Sequence, residues 1–315
     1  MAKMIPSPFM NELSSKLKES RKIADTTALQ YLQTLYKLNG SEPFKSLAWC
    51  KDYETVQSVI DTYAPSTRRT QYQVLASTLT LVKDNKAYKG AYMYWWDKMT
   101  NANKEKREEP PHEKSEKEKE SILGWDDILT IKNSLKEKVD KFANKKSINH
   151  IQFNDLFKYM LMSLYTEMPP RRNQDYFYMY VVPKWNDTMD KSINYFDMAT
   201  NKFIFNKYKT SKAYGVQILD VPESLRNCIK LYIKFHPLKK EKVFPLIVKP
   251  DGTLYKNASC ITRFLNTIFD GKKVGSSALR HSFLSSKYGD ITKEREEVAK
   301  EMGHSVAMAD SYIKY

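Results

Sequence analysis

Residues 194–221 read NYFDMATNKFIFNKYKTSKAYGVQILDV, and the architecture turns on this stretch. Asn194–Met198 and Lys202–Asn206 are strand-like and meet across the turn pair Thr200-Asn201; Val216–Val221 resumes the pattern after Gly215. Three short runs with strand periodicity, separated by turn residues, predict a small antiparallel sheet. Working outward, the remaining apolar patterns have helical spacing. Upstream, a helix over about Phe153–Tyr165 stops at Pro169-Pro170, because proline removes an amide donor and crowds the preceding turn. Downstream come Leu225, Ile229, Tyr232 and Ile233; Ile261, Phe264, Leu265 and Ile268; Leu279 with Phe283; Val298 with Met302, stopped by Gly303; and a last short helix from Ser305. The expected fold class is mainly α with a small antiparallel β-sheet.

The first part of the chain is wholly helical in pattern. Asp25 and Thr26 can cap a segment carrying Leu29, Leu32, Leu35 and Tyr36, which ends at Asn39-Gly40. Val56, Val59, Ile60 and Tyr63 follow, up to Ala64-Pro65. Ser66 can cap a helix with Tyr72, Leu75, Leu79 and Val82, and a fourth segment from about Asn85 holds Tyr88, Tyr92, Trp95, Trp96 and Met99. Four amphipathic helices make a small bundle. Between the two parts, Asn103–Ser121 (NKEKREEPPHEKSEKEKES) has no large apolar residue, two prolines and charges that nearly cancel. That composition predicts a solvated linker. The expected organisation is a tail over 1–21, a helical domain over 22–102, a linker over 103–121 and a second domain over 122–315.

Lys and Arg number 52 against 37 Asp and Glu, a formal charge of +15. Such an excess points to a polyanionic partner, double-stranded nucleic acid first. Cys50, Cys228 and Cys260 are odd in number and lack metal-ligand spacing, which disfavours a disulfide framework and a zinc site. No apolar run approaches the roughly 18 residues of a membrane span, and Met1–Asn11 lacks the pattern of a cleaved signal. A soluble intracellular protein is expected, with no membrane partner.

Three stretches of the second part carry chemistry: Pro169-Pro170-Arg171-Arg172-Asn173-Gln174-Asp175-Tyr176, Ser276-Ser277-Ala278-Leu279-Arg280-His281-Ser282-Phe283, and Met302-Gly303-His304-Ser305 followed by Tyr312. In this order, with a lysine of the hairpin between the first two, the set resembles the catalytic domain of the tyrosine recombinases, the phage-integrase superfamily. The matching positions are Arg172 with Asp175 three residues on, Leu279-Arg280-His281-Ser282, Met302-Gly303-His304-Ser305, and Tyr312 eight residues after His304. Lys209 matches the hairpin lysine, with Lys212 as the fallback. Ala64-Pro-Ser-Thr-Arg-Arg-Thr is similar to a helix start of the family's core-binding domain, and the resemblance as a whole covers most of the chain from about Lys22. The resemblance implies a core-binding bundle followed by an α+β catalytic domain, the two clamping duplex DNA.

The residue types suit attack on phosphorus. Negative charge develops on the non-bridging oxygens, and a planar guanidinium bonds two of them at once. Arg172 and Arg280 can flank one phosphate while His304 adds a hydrogen bond. A tyrosine hydroxyl can attack and hold the phosphate as an ester, and a lysine can protonate the departing 5′-oxygen. Neither metal nor cofactor is needed. The resemblance thus implies catalytic roles for Arg172, Lys209, Arg280, His304 and Tyr312, a 3′-phosphotyrosyl intermediate, and action as a homotetramer on paired sites. It also implies a use in integrating or excising a viral or mobile genome, as by integrases of eukaryotic viruses and mobile elements. Arg68 and Arg69, in the first turn of the third helix, either contact phosphate at a helix N-terminus or are plain surface charge. Tyr315 is a rival nucleophile.

In one place the chain departs from the family. Ser277 stands where the family has the His of His-x-x-Arg, and serine is no base near neutral pH. Ser277 either caps the helix carrying Arg280 or hydrogen-bonds the phosphate. Two other functions stay open: a type IB topoisomerase, which uses the same chemistry, and, because of Ser277, a DNA-binding protein of this fold with impaired catalysis.

Overall fold

The computed structural model describes residues 4–108 and 123–312. The chain divides into two compact units, residues 1–113 and 114–315. Among the described residues, no helix is long and apolar enough to cross a membrane.

Among the described residues of the first unit, five α-helices enclose one core: α1 Pro8–Arg21, α2 Asp25–Leu38, α3 Tyr53–Asp61, α4 Pro65–Leu79 and α5 Lys86–Glu108. α2 to α5 are the four expected helices. α1 corrects the expected tail. Met10, Leu13 and Leu17 recur at helical spacing and are buried, and the Ser7 side chain accepts from the Met10 amide at 3.2 Å. Two expected caps shift as well. α4 opens with Pro65 at its first position and Ser66 already inside, and α2 begins at Asp25 after Ala24. Trp95 of α5 is fully buried, donates to the Cys50 carbonyl at 2.9 Å, and meets Tyr94 edge-on. A buried side chain of that size is worth about 3–5 kcal/mol against alanine. Asn103–Glu108, expected in the linker, is the last stretch of α5; residues 109–121 of that linker lie outside the described residues.

The second unit is mostly helical around a five-stranded sheet. Its elements are α6 Trp125–Asp140, α7 His150–Thr166, α8 Asn173–Phe177, β1 Met179–Val182, β2 Asn194–Asp197, β3 Lys202–Phe205, α9 Ser211–Tyr214, β4 Gln217–Asp220, α10 Glu223–Phe235, β5 Phe244–Pro245, α11 Ser259–Ile268, α12 Ser276–Glu301 and α13 Val306–Tyr312. β2, β3 and β4 are the three expected antiparallel strands. The sheet order is β4-β3-β2-β1-β5, and β1 runs parallel to β2, so the sheet is mixed rather than purely antiparallel. β1 (MYVV) and the two-residue β5 are buried and carry no alternation, so the sequence pattern could not separate them from helix. Side chains alternate across the sheet: Phe203 and Phe205 enter the main core with Phe196, while Ile204 packs with Val182 and Tyr195 on the other face.

α7 runs through this core, burying nine residues from Phe153 to Tyr165, and starts with a reciprocal Asn149–Gln152 capping box. It delivers the chain through Pro169-Pro170 to α8. The helices expected around Leu279 and Val298 are one continuous helix, α12.

Candidate active site

α8, the loop between β3 and β4, and the first turns of α12 enclose an open cavity of about 260 Å3, lined by Pro170, Arg171, Arg172, Asp175, Tyr208, Thr210, Tyr214, Gln217 and Arg280. Arg172 and Arg280, from distant segments, thus face one cavity. Each is held by local structure. Arg172 is the N-cap residue of α8, with its carbonyl accepting from the Asp175 amide at 2.9 Å. Its guanidinium makes no hydrogen bond or ion pair among the described residues. Arg280 lies one turn into α12 and folds back along it, donating to the Ser276 carbonyl at 3.2 Å and the Ser277 hydroxyl at 3.0 Å. Burial, then the neighbouring Arg172, pull its pKa below the usual arginine value. Ser277 therefore makes no cap bond; the N-cap is Gly275, and Ser277 is a partner of Arg280.

Arg171, which the motif spacing passes over, is the most engaged side chain of the cavity. Its Nε donates to Asp175 at 3.0 Å and its other arm to Gln217 Oε1 at 2.9 Å, while the guanidinium lies 3.8 Å from the centroid of the Phe205 ring. Asp175 is 3% exposed, and burial raises its pKa against the pull of Arg171. Arg172 and Arg280 add two further guanidiniums near this one carboxylate, so the cavity keeps an excess of positive charge. Below them, buried Tyr165 donates to Asn173 at 2.6 Å, and Asn173 donates to Thr262 at 2.9 Å. Fully buried Asn194 of β2 ties α8 to the loop: its amide donates to the Asp175 carbonyl at 2.7 Å, and its oxygen accepts from the Lys207 amide at 2.7 Å.

Lys209 and Lys212 belong to the same β3–β4 loop and are exposed. Tyr208 and Thr210, on either side of Lys209, line the cavity; Lys209 itself stands outside the lining.

His304 and Tyr312 are brought together, but elsewhere. α12 ends in a Schellman motif: Gly303 has φ +68°, and the His304 amide donates to the Ala299 carbonyl at 2.8 Å. The glycine of Met-Gly-His is thus needed to stop the helix. The His304 ring then stacks on Tyr312, centroids 5.7 Å apart and planes 18° from parallel. α13 folds back along α12, held by an ion pair between Arg295 and Asp310, and Tyr312 shares a second cavity with Glu294, Arg295 and Val298. At 1.5 Å per residue, Arg295 lies about 22 Å along α12 from Arg280. The two arginines and the histidine–tyrosine pair are therefore separate constellations in this structure. Tyr315 lies outside the described residues.

In the first unit, Arg68 closes the end of α3. It donates to the carbonyls of Tyr63 at 2.6 Å and Asp61 at 2.7 Å and pairs with the Asp61 carboxylate at 3.4 Å. Arg69 makes a single long bond to Asn103, 3.4 Å, and is the freer of the two.

No protein-family model matches the chain, and no curated protein matches it. Among solved structures, the crystal structure of XerA recombinase matches with 14% sequence identity over 97% of this chain and 94% of that one. The TM-score is 0.36.

Proposed function

We propose that the chain is a DNA strand transferase of the tyrosine-recombinase type, acting on duplex DNA without a cofactor. The observation that carries this reading is the cavity holding Arg172 and Arg280 side by side, with Arg172 unpaired among the described residues. A phosphodiester placed there meets two planar guanidiniums able to donate to its non-bridging oxygens, where charge builds up in the transition state. The Tyr312 hydroxyl attacks phosphorus and loses its proton to solvent; the Tyr–phosphorus bond forms as the bond to the 5′-oxygen breaks, and that oxygen takes a proton from Lys209. Reversal with a different 5′-hydroxyl rejoins the strand. The first unit, the second domain and a tetramer on paired sites divide the work of recognition, cleavage and exchange, with integration or excision of a viral or mobile genome as the outcome.

This mechanism requires a second arrangement of the C-terminal segment. Beyond Ser282, α12 buries only Ala299, while Leu284, Tyr288, Ile291, Val298 and Met302 stand exposed. Midway lies Tyr288-Gly289-Asp290, a weak point for a helix. Bending there would free His304 and Tyr312 to approach the arginines. The separation of Tyr312 from Arg280 also supports a second reading, a DNA-binding protein of this fold without catalysis. The test is a pool of nicked duplexes with randomised cores, in which a cleaved strand loses its short 3′ fragment and stays attached. The expected result is a denaturant-resistant protein–DNA adduct that disappears in Tyr312→Phe while DNA affinity is kept. An adduct that survives there and is lost in Tyr315→Phe would move the nucleophile. No adduct with any duplex would leave the binding-protein reading standing.

A further inference from the structure

We propose that Arg171 is a positioning residue: a strut that fixes the β3–β4 loop, and with it Lys209, against the arginine cavity. The inference rests on the strand-transfer reading above and deepens it. Arg171 reaches three parts of the loop's frame at once. Its guanidinium stacks on Phe205, the last residue of β3; it lies 5.2 Å from the ring of Tyr208, the residue before Lys209; and it donates to Gln217, the first residue of β4. The remaining arm anchors on Asp175 beneath Arg172. Both ends of an eleven-residue excursion, 206–216, are thereby joined by one side chain to the helix that carries Arg172. Tyr208 draws the loop in further by donating to the Gly215 carbonyl at 2.8 Å.

The chemistry of the side chain explains why arginine and not lysine serves here. A flat guanidinium can stack on a ring while its edge donates in two directions, whereas an ammonium is a point charge without that geometry. The placement matters because a general acid works only within hydrogen-bond reach of the leaving oxygen. An exposed lysine on a free loop would sample that place rarely. Arg172 and Arg280 bind the phosphate in this scheme; Arg171 touches no substrate and acts through the loop.

Two measurements on the full chain test the strut. The first is amide hydrogen exchange of residues 206–216 in Arg171→Lys and Gln217→Ala. Faster exchange there, with α7 and β1–β3 unchanged, is expected; unchanged exchange of the loop overturns the proposal whatever the activity. The second compares strand cleavage of an ordinary duplex with one whose scissile 5′-oxygen is replaced by sulfur, placed at the position mapped from trapped adducts. A thiol has a pKa of about 8.5 and leaves as thiolate without an acid. Each variant should cleave the ordinary strand about 100-fold more slowly, the lower range of what a positioned acid contributes, and should recover wild-type cleavage on the sulfur strand. A variant that stays slow on sulfur has lost more than acid positioning, and the proposal falls. Lys209→Ala separates the two levels: if it is not rescued by sulfur, the assignment of Lys209 as the acid fails. If the wild type cleaves nothing, the strand-transfer reading fails and loop exchange alone decides the strut.

Discussion

Ser277 shows what one side chain can do that its place in a motif does not reveal. From the sequence it is a candidate cap or phosphate ligand; in the structure its hydroxyl accepts from Arg280. That bond and the Ser276 carbonyl fix the guanidinium in one orientation, so the fork is preorganised before any phosphate arrives. Arg280→Lys keeps the charge and loses the fork. Adduct formation should fall by about 100-fold or more, the cost of removing one aimed donor from a charged transition state, while DNA retention stays near wild type. Ser277→Ala should lower the rate by about tenfold, the equivalent of one hydrogen bond to a charged group. Quantified adduct formation against filter retention of the same duplex checks both. A drop in retention matching the drop in rate would mean that Arg280 only binds DNA. Arg171 was hidden from sequence reading for the opposite reason: its value lies in Phe205 and Gln217, remote partners that no local spacing discloses.

Among the elements, those with strong local periodicity were legible and those defined by tertiary contacts were not. β2, β3 and β4 announced themselves through turn residues and closeness in sequence, and α2 to α5 through helical stripes. β1 and β5 exist because β2 and one another's backbones offer hydrogen bonds, which leaves little mark on four and two residues. α12 is the instructive failure. The sequence suggests two helices, and the weak stretch Ser285-Ser286-Lys287-Tyr288-Gly289-Asp290 lies where they would separate, yet the helix runs through it. Gly289 meets nothing within 4 Å of an added Cβ, so alanine fits there without a clash. Gly289→Ala should stabilise the continuous helix by about 1 kcal/mol. If cleavage requires the helix to bend at this point, that substitution slows adduct formation by about fivefold at unchanged DNA affinity. Helicity by circular dichroism and single-turnover trapping decide the matter: a rate that is unchanged or raised while helicity increases would mean that α12 stays whole in the reacting complex.

For the molecule as a whole, the formal charge of +15 suits a polyanionic partner, but a total says nothing of where the charge lies. The structure divides it unevenly by purpose. Lys132 is half-buried in a pair with Glu167 at 2.5 Å, Arg68 is consumed in closing a helix, and Arg171 is locked into the cavity wall by Asp175 and Gln217. Arg172, Arg69, Lys209 and Lys212 keep their charge available at the surface or in the cavity. Only such uncommitted cations can displace counterions from DNA, so they, rather than the sum, set the salt response. If the chain contacts on the order of 6–10 phosphates, affinity for duplex DNA should fall by about 10³–10⁵ between roughly 50 and 200 mM salt. Arg69→Ala, Lys212→Ala and Arg172→Ala should each flatten the slope of log affinity against log salt by about one contact. Arg68→Ala should leave the slope alone and lower thermal stability instead, since its donors serve carbonyls of the protein. Titration of a labelled duplex across a salt series reads these slopes directly. A shallow slope in the wild type, or equal effects of Arg68 and Arg69, would mean that the positive charge is spread over the surface without a DNA-facing side.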